Sequence, residues 1–134
     1  MHVRIIANPI SGGGRGPRTA EALATALTAH RISSEIRITT RAGDAHAWAA
    51  EPGADCVVSV GGDGTLNEVA TALAGSGIPV ATLPLGTANV VAHELRTPHD
   101  PSALAALIAR GATRRIDVGR SGERLFLLGA GAGL

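Results

Sequence analysis

The chain has 134 residues, a formal net charge of +1, a single cysteine, one Trp and one Phe, and its twelve basic residues are all arginine. One domain's worth of chain buries enough surface for a core without staples, and Cys56 has no partner for an internal disulfide, which suits a reducing compartment. With no block of like charge and no aromatic platform, nucleic-acid binding is excluded, and without lysine a Walker-type phosphate loop is excluded as well.

In chain order, "VRIIA" (residues 3–7) reads as a first strand, followed by a helix over 19–30. "EIRIT" (35–39) reads as a second strand and 43–50 as a second helix. "CVVSV" (56–60) and "PVATL" (79–83) are nearly continuous apolar runs of the kind required by a parallel strand covered on both faces. A helix over 65–74 separates them, and helices over 88–95 and 101–110 follow. "RRIDVG" (114–119) and "RLFLLGAGAGL" (124–134) supply two last strand candidates. Strands alternating with helices predict an α/β fold, an open and mostly parallel sheet with helices on both faces and right-handed crossovers. No apolar run approaches the roughly 18 residues of a membrane span and no leader pattern opens the chain, so a soluble, cytoplasmic protein is expected.

In such sheets ligands sit beyond the carboxyl ends of the strands. Here those ends are "NPISGGGRG", "TTRAGD", "GGDGTLN" and "PLGTAN", all rich in small, hydroxyl or amide residues. Each alone is ordinary turn chemistry, but their coincidence on one edge points to a binding site. In "GGDGT", Gly61, Gly62 and Gly64 suggest positive φ and close approach of the backbone to a ligand, and Thr65 suggests a cap for the next helix. A cradle of backbone N–H groups attracts phosphate, whereas Asp63 at its centre repels it. A divalent cation reconciles the two, since Mg²⁺ typically uses one or two carboxylates together with substrate phosphates. Glu68 is read as favouring the helix dipole, and Asn67 as facing the ligand. Arg15 and Arg18 are either solvated surface residues or cations that replace the absent lysine over the phosphates. Trp48, spaced with Ala45 and Ala49, reads as core. The five histidines are scattered, and "HELRTPH" does not fit a zinc motif.

"NPISG", "GGDGTLNEV" and "PLGTAN", in this order and at these separations, resemble the catalytic domain of the diacylglycerol kinase family, closest to the bacterial soluble lipid kinases. That family shares a Gly-Gly-Asp-Gly loop with sphingosine kinases, NAD kinases and phosphofructokinases. "GGDGT" alone marks only this superfamily, and the "LPLGTAN" pattern in this form is not that of NAD kinases. The resemblance covers nearly the whole chain and implies transfer of the ATP γ-phosphoryl group to a lipid hydroxyl. By position it implies that Asn8, Ser11, Gly12 and Thr39 or Thr40 touch the nucleotide. It further implies that residues 61–67 wrap the phosphates, that Thr87 completes the pocket, that Asp63 is the indispensable acid, and that Asp117 joins it around Mg²⁺. On spacing alone Asp117 reads equally as a turn residue.

The resemblance also implies that residues 1–120 form a nucleotide-binding domain. A second, mostly β domain would then begin within 121–134, carry the general base and much of the lipid site, and lie beyond this chain. The expected partners are a nucleotide and, for the longer protein, a lipid acceptor at a membrane surface, with "LFLLG" inviting pairing in a homodimer. The alternatives are an NAD kinase-like enzyme and a nucleotide-binding module without catalysis of its own.

Overall fold

A computed structural model describes residues 1–86, 89–111, 113, 115, 119–121 and 124–126. Its elements are β1 (His2–Ala7), α1 (Ser11–Gly14), α2 (Gly16–Ala29), β2 (Ser33–Ile38), α3 (Asp44–Ala49), β3 (Cys56–Gly61), α4 (Asp63–Leu73), β4 (Val80–Pro84), α5 (Val90–Leu95), α6 (Pro101–Arg110), β5 (Gly119–Ser121) and β6 (Arg124–Phe126). The first four strands form one all-parallel sheet in the order β2-β1-β3-β4. Strands β5 and β6 pair antiparallel as a separate ribbon; β5 shares only Gly119 with the expected 114–119 strand, and β6 coincides with the start of the expected 124–134 strand. Most of "RRIDVG", with Asp117, and all of residues 127–134 lie outside the described residues.

Side-chain alternation along the strands sorts the core into two layers. Val3, Ile5 and Ala7 of β1 join Cys56, Val58 and Val60 of β3 under α2 and α6, where Leu23, Leu27, Leu104 and Ile108 close the layer. Ile6 and Val57 face the opposite way and are covered by Ala45 and Ala49 of α3 and by Val69 and Leu73 of α4. Trp48 packs at the rim of that second layer, as expected, with the Arg37 guanidinium 6.0 Å from its ring centroid. Every residue of β3 is buried, which explains its nearly continuous apolar run, interrupted only by the buried Ser59. The edge strand β2 is half-exposed, and its Glu35 and Arg37 protect the open edge with charge. Because β1 to β2 runs one way with its helix on one face, and β2 to β3 and β3 to β4 run the other way with helices on the opposite face, all three crossovers share one hand.

Helix ends follow local chemistry. Asp100 caps α6 by accepting the Ala103 N–H at 2.9 Å, Pro101 opens the helix, and Gly111 closes it at φ 69°. Helix α2 begins at Gly16, three residues before the expected start, because Pro17 has its fixed φ in the first turn. One charged residue is nearly sealed in the fold. Arg4 is 3% exposed; its Nε donates to Glu35 at 2.7 Å, and its terminal nitrogens donate to the Trp48, Glu51 and Pro52 carbonyls. A cation there satisfies the carbonyls at the end of α3 and suits the negative end of that helix. Burial alone would raise the Glu35 pKa, but the hydrogen bond and charge of Arg4, together with Arg37, carry it below the usual value.

Candidate nucleotide site

The four parallel strands end at one edge, and the ladder continues one residue past three of them. The Asn8 N–H donates to Val60, the Thr39 N–H to Ala7 and the Leu85 N–H to Gly61, at 2.8–3.0 Å. Strand order reverses between β1 and β3, so the loops that follow these two strands flank the crevice where ligands bind in sheets of this kind.

After β1, the Asn8 Oδ1 accepts the N–H groups of Ile10 (2.8 Å) and Ser11 (3.2 Å), which fixes the turn. The chain then passes through Gly12 and Gly13 at φ 62° and 70°, a left-handed course that side-chain-bearing residues resist. A methyl at Gly12 would lie 3.1 Å from the Leu85 Cβ, so this loop rests on the one that follows β4. After β3, Gly62 begins α4 with extended backbone (φ −94°, ψ −166°). A methyl on Gly86 would lie 2.8 Å from the Gly62 Cα. Two backbones can come this close only without side chains. The "NPISG", "GGDG" and "PLG" loops are thus in mutual contact.

Helix α4 has eleven residues, and its free N-terminal N–H groups and dipole favour an anion. Asp63 is the first helical residue, and among the described residues no side chain pairs with it. A methyl at Gly64, one residue on, would meet nothing within 4 Å. Beside this turn lies a cleft of about 280 Å³ lined by Asn8, Pro9, Ile10, residues 39–42, Ala45, Gly64, Thr65 and Glu68. Its far wall is the loop after β2, where the Asp44 Oδ2 accepts from the Thr40 N–H (2.8 Å), the Thr40 hydroxyl (2.9 Å) and the Arg41 N–H (3.2 Å). Those hydrogen bonds from Thr40 hold the Asp44 carboxyl below its usual pKa.

Residues 2–121 match the diacylglycerol kinase catalytic domain. The chain belongs to that family. It is 37% identical over 125 residues to a diacylglycerol kinase of Mycobacterium tuberculosis (strain CDC 1551 / Oshkosh), covering 88% of this chain and 40% of that protein. Against the "Probable lipid kinase YegS-like" of Pseudomonas putida (strain KT2440) it is 43% identical over 98 residues, covering 69% and 33%. A crystal structure of a diacylglycerol kinase from Bacillus anthracis str. Sterne superposes with a TM-score of 0.73 at 30% identity, covering 87% of this chain and 42% of that one. The chain therefore spans about two fifths of the length of the relatives it matches.

Of the residues expected to serve a diacylglycerol kinase nucleotide site, Asn8, Thr39, Thr40, Gly64 and Thr65 line the cleft. Ser11, Gly12, Gly61, Gly62 and Asp63 form the adjoining loops and helix start without lining it, and Asn67 is half-buried in α4 outside the lining. Thr87 and Asp117 lie outside the described residues. Thr39 is buried and its hydroxyl points to the Ala7 carbonyl at 3.4 Å, so Thr40 is the more open of the pair. Arg15 and Arg18 are exposed beside the site; Arg15 Nε donates to the Gly12 carbonyl, and neither pairs with a carboxylate among the described residues.

Three local expectations need correction. Gly61, Gly62 and Gly64 do not adopt positive φ; Gly62 is needed for its contact with Gly86, and Gly64 borders open space. Thr65 does not cap α4, because the helix starts two residues earlier and Thr65 is buried in its first turn. Glu68 does not serve its own helix start. Its Oε1 accepts the N–H groups of Gly43 (2.9 Å) and His46 (3.3 Å) at the start of α3.

Sequence reasoning missed the Arg41 and Glu68 sides of the cleft. Arg41 had a signal, being a cation directly after two threonines and two residues before Gly43, the N-cap of α3. A larger, mainly apolar cavity of about 460 Å³ lies between β4 and α6, at the opposite end of the sheet from these loops, and Cys56 is the one lining residue with a titratable side chain. Burial pushes that thiol up to about 11, so it stays protonated at neutral pH. Among the described residues no group of three or more His, Cys, Asp or Glu could hold a metal by itself, and no helix is long and apolar enough to cross a membrane.

Proposed function

We propose that this chain is the nucleotide-binding portion of an ATP-dependent lipid kinase that passes the γ-phosphoryl group of ATP to a hydroxyl of a lipid such as diacylglycerol. The observation that carries the reading is the meeting of three motif loops at the carboxyl edge, beside an Asp63 that pairs with no side chain among the described residues and the open space over Gly64. The start of α4 offers backbone N–H groups to phosphate oxygens, Thr40 and Asn8 present a pre-oriented wall, and Arg15 and Arg18 offset the charge of a triphosphate. Asp63 fits Mg²⁺ as one carboxylate among phosphate and water ligands, and Asp117 is proposed as its companion. When bound, the ion neutralises charge between that carboxylate and the phosphates.

Turnover needs in-line placement of acceptor and donor and an orienting base. The described residues offer no polar group poised as a base beside an apolar acceptor cleft at this edge. We assign both to the remaining three fifths of a protein as long as the relatives, acting at the cytoplasmic surface of a membrane. The test is transfer of radiolabelled phosphate from ATP to diacylglycerol in mixed micelles. A protein of the relatives' length should transfer it in an Asp63-dependent manner, and residues 1–134 alone should bind nucleotide without transfer. Asp63-dependent transfer by the short chain would refute the division of labour, and transfer to NAD in place of lipid would refute the acceptor.

A further inference from the structure

Helix α3 begins without a cap of its own. Its N-cap is Gly43, which has no side chain, and Asp44, the next residue, is turned back to hold Thr40 and Arg41. The N–H groups of the N-cap Gly43 and of His46, the third residue of α3, are satisfied from a different helix, by the Glu68 carboxylate of α4, 25 and 22 residues away along the chain. The same α4 carries Gly64 and Thr65 on the opposite wall of the cleft, and Glu68 itself lines the space between them. A single side chain therefore ties the wall made by the loop after β2 to the wall made by the "GGDG" turn. We propose that Glu68 is a positioning residue that sets the width of the cleft and so the affinity for nucleotide. This rests on the reading of the cleft as the nucleotide site.

Reach and acceptor geometry, rather than charge, define the role. Glu68→Gln keeps an oxygen at the same distance from the backbone and preserves both bonds. Glu68→Asp keeps the charge but shortens the arm by one methylene and cannot hold both N–H groups. Calorimetric titration of the full chain with MgATP, alongside thermal melts, separates the possibilities. The Gln variant should bind within about twofold of the unaltered chain. The Asp and Ala variants should bind about tenfold more weakly at temperatures where both remain folded, since small displacements of positioning groups are costly. Should Glu68→Ala unfold, Glu68→Asp carries the comparison. Melting temperatures that fall while affinity is unchanged would reduce Glu68 to a structural cap and overturn the proposal. Weak binding by Gln with full binding by Asp would overturn it in favour of a charge effect. No binding by the unaltered chain would overturn the nucleotide reading itself, an outcome distinct from either.

Discussion

Substituting Gly64 by alanine should move stability and binding in opposite directions. Gly64 is the second residue of α4, and a methyl there would touch nothing within 4 Å, so the substitution adds no clash. Glycine within a helix costs roughly 0.5–1 kcal/mol relative to alanine, and the first turn takes the lower part of that range. With about 3–5 °C per kcal/mol for a chain of this size, Gly64→Ala should raise the melting temperature by about 1–3 °C. The same methyl would enter the cleft beside the N-terminus of α4, where phosphate is proposed to approach. Losing one good contact there should weaken MgATP at least tenfold, or about 1.4 kcal/mol. Differential scanning fluorimetry without ligand and calorimetric titration with MgATP measure the two effects on the same sample. Unchanged affinity in a stabilised variant would refute close approach of the ligand to residue 64. A lower melting temperature would refute the open space above it.

Gly86→Ala should instead move stability and binding in the same direction, since its methyl would lie 2.8 Å from the Gly62 Cα and 3.0 Å from the Asn89 Oδ1. Overpacking of this kind costs about 1–3 kcal/mol, so both melting temperature and MgATP affinity should fall, which melts and titration will show. Asp63→Asn should leave the melting temperature within about 2 °C, as expected for a near-isosteric change at a group with no partner among the described residues. It should, however, remove most of the difference between ATP titrations with and without magnesium. Glu35 has a depressed pKa in the folded chain, so its stabilising contribution is present above the ordinary glutamate range and is lost as pH falls through the lowered value. Glu35→Gln should thus lower the melting temperature at pH 7, and the gap from the unaltered chain should narrow toward pH 3.

The parallel core strands were legible because strands covered on both faces are written as nearly continuous apolar runs, and β3 is buried at all six residues with Ser59 its one polar side chain. The edge of the site was legible because turn residues gather wherever several strands end together. What escaped the sequence depended on partners distant along the chain. "GGDG" announces glycines but not their reason: positive φ and close approach both call for a missing Cβ, and only Gly86 on the next loop reveals which applies to Gly62. Glu68 looks like any acid in an early helical turn until α3 folds against α4 and offers it two uncapped N–H groups. Arg4 interrupts an apolar strand for no local reason. Its explanation lies in Glu35, its register partner on β2, and in three carbonyls around the end of α3.

Nucleotide is proposed to occupy the carboxyl edge of the sheet between the β1 and β3 loops. Backbone amide NMR of the chain during a MgATP titration tests it most directly, because each amide reports its own surroundings. The largest shifts are expected at Ser11, Gly12, Thr40 and residues 61–65, with Leu104, Leu107 and Ile108 beside the apolar cavity unmoved. Shifts concentrated at those α6 residues, or none at millimolar MgATP in a folded sample, would contradict it.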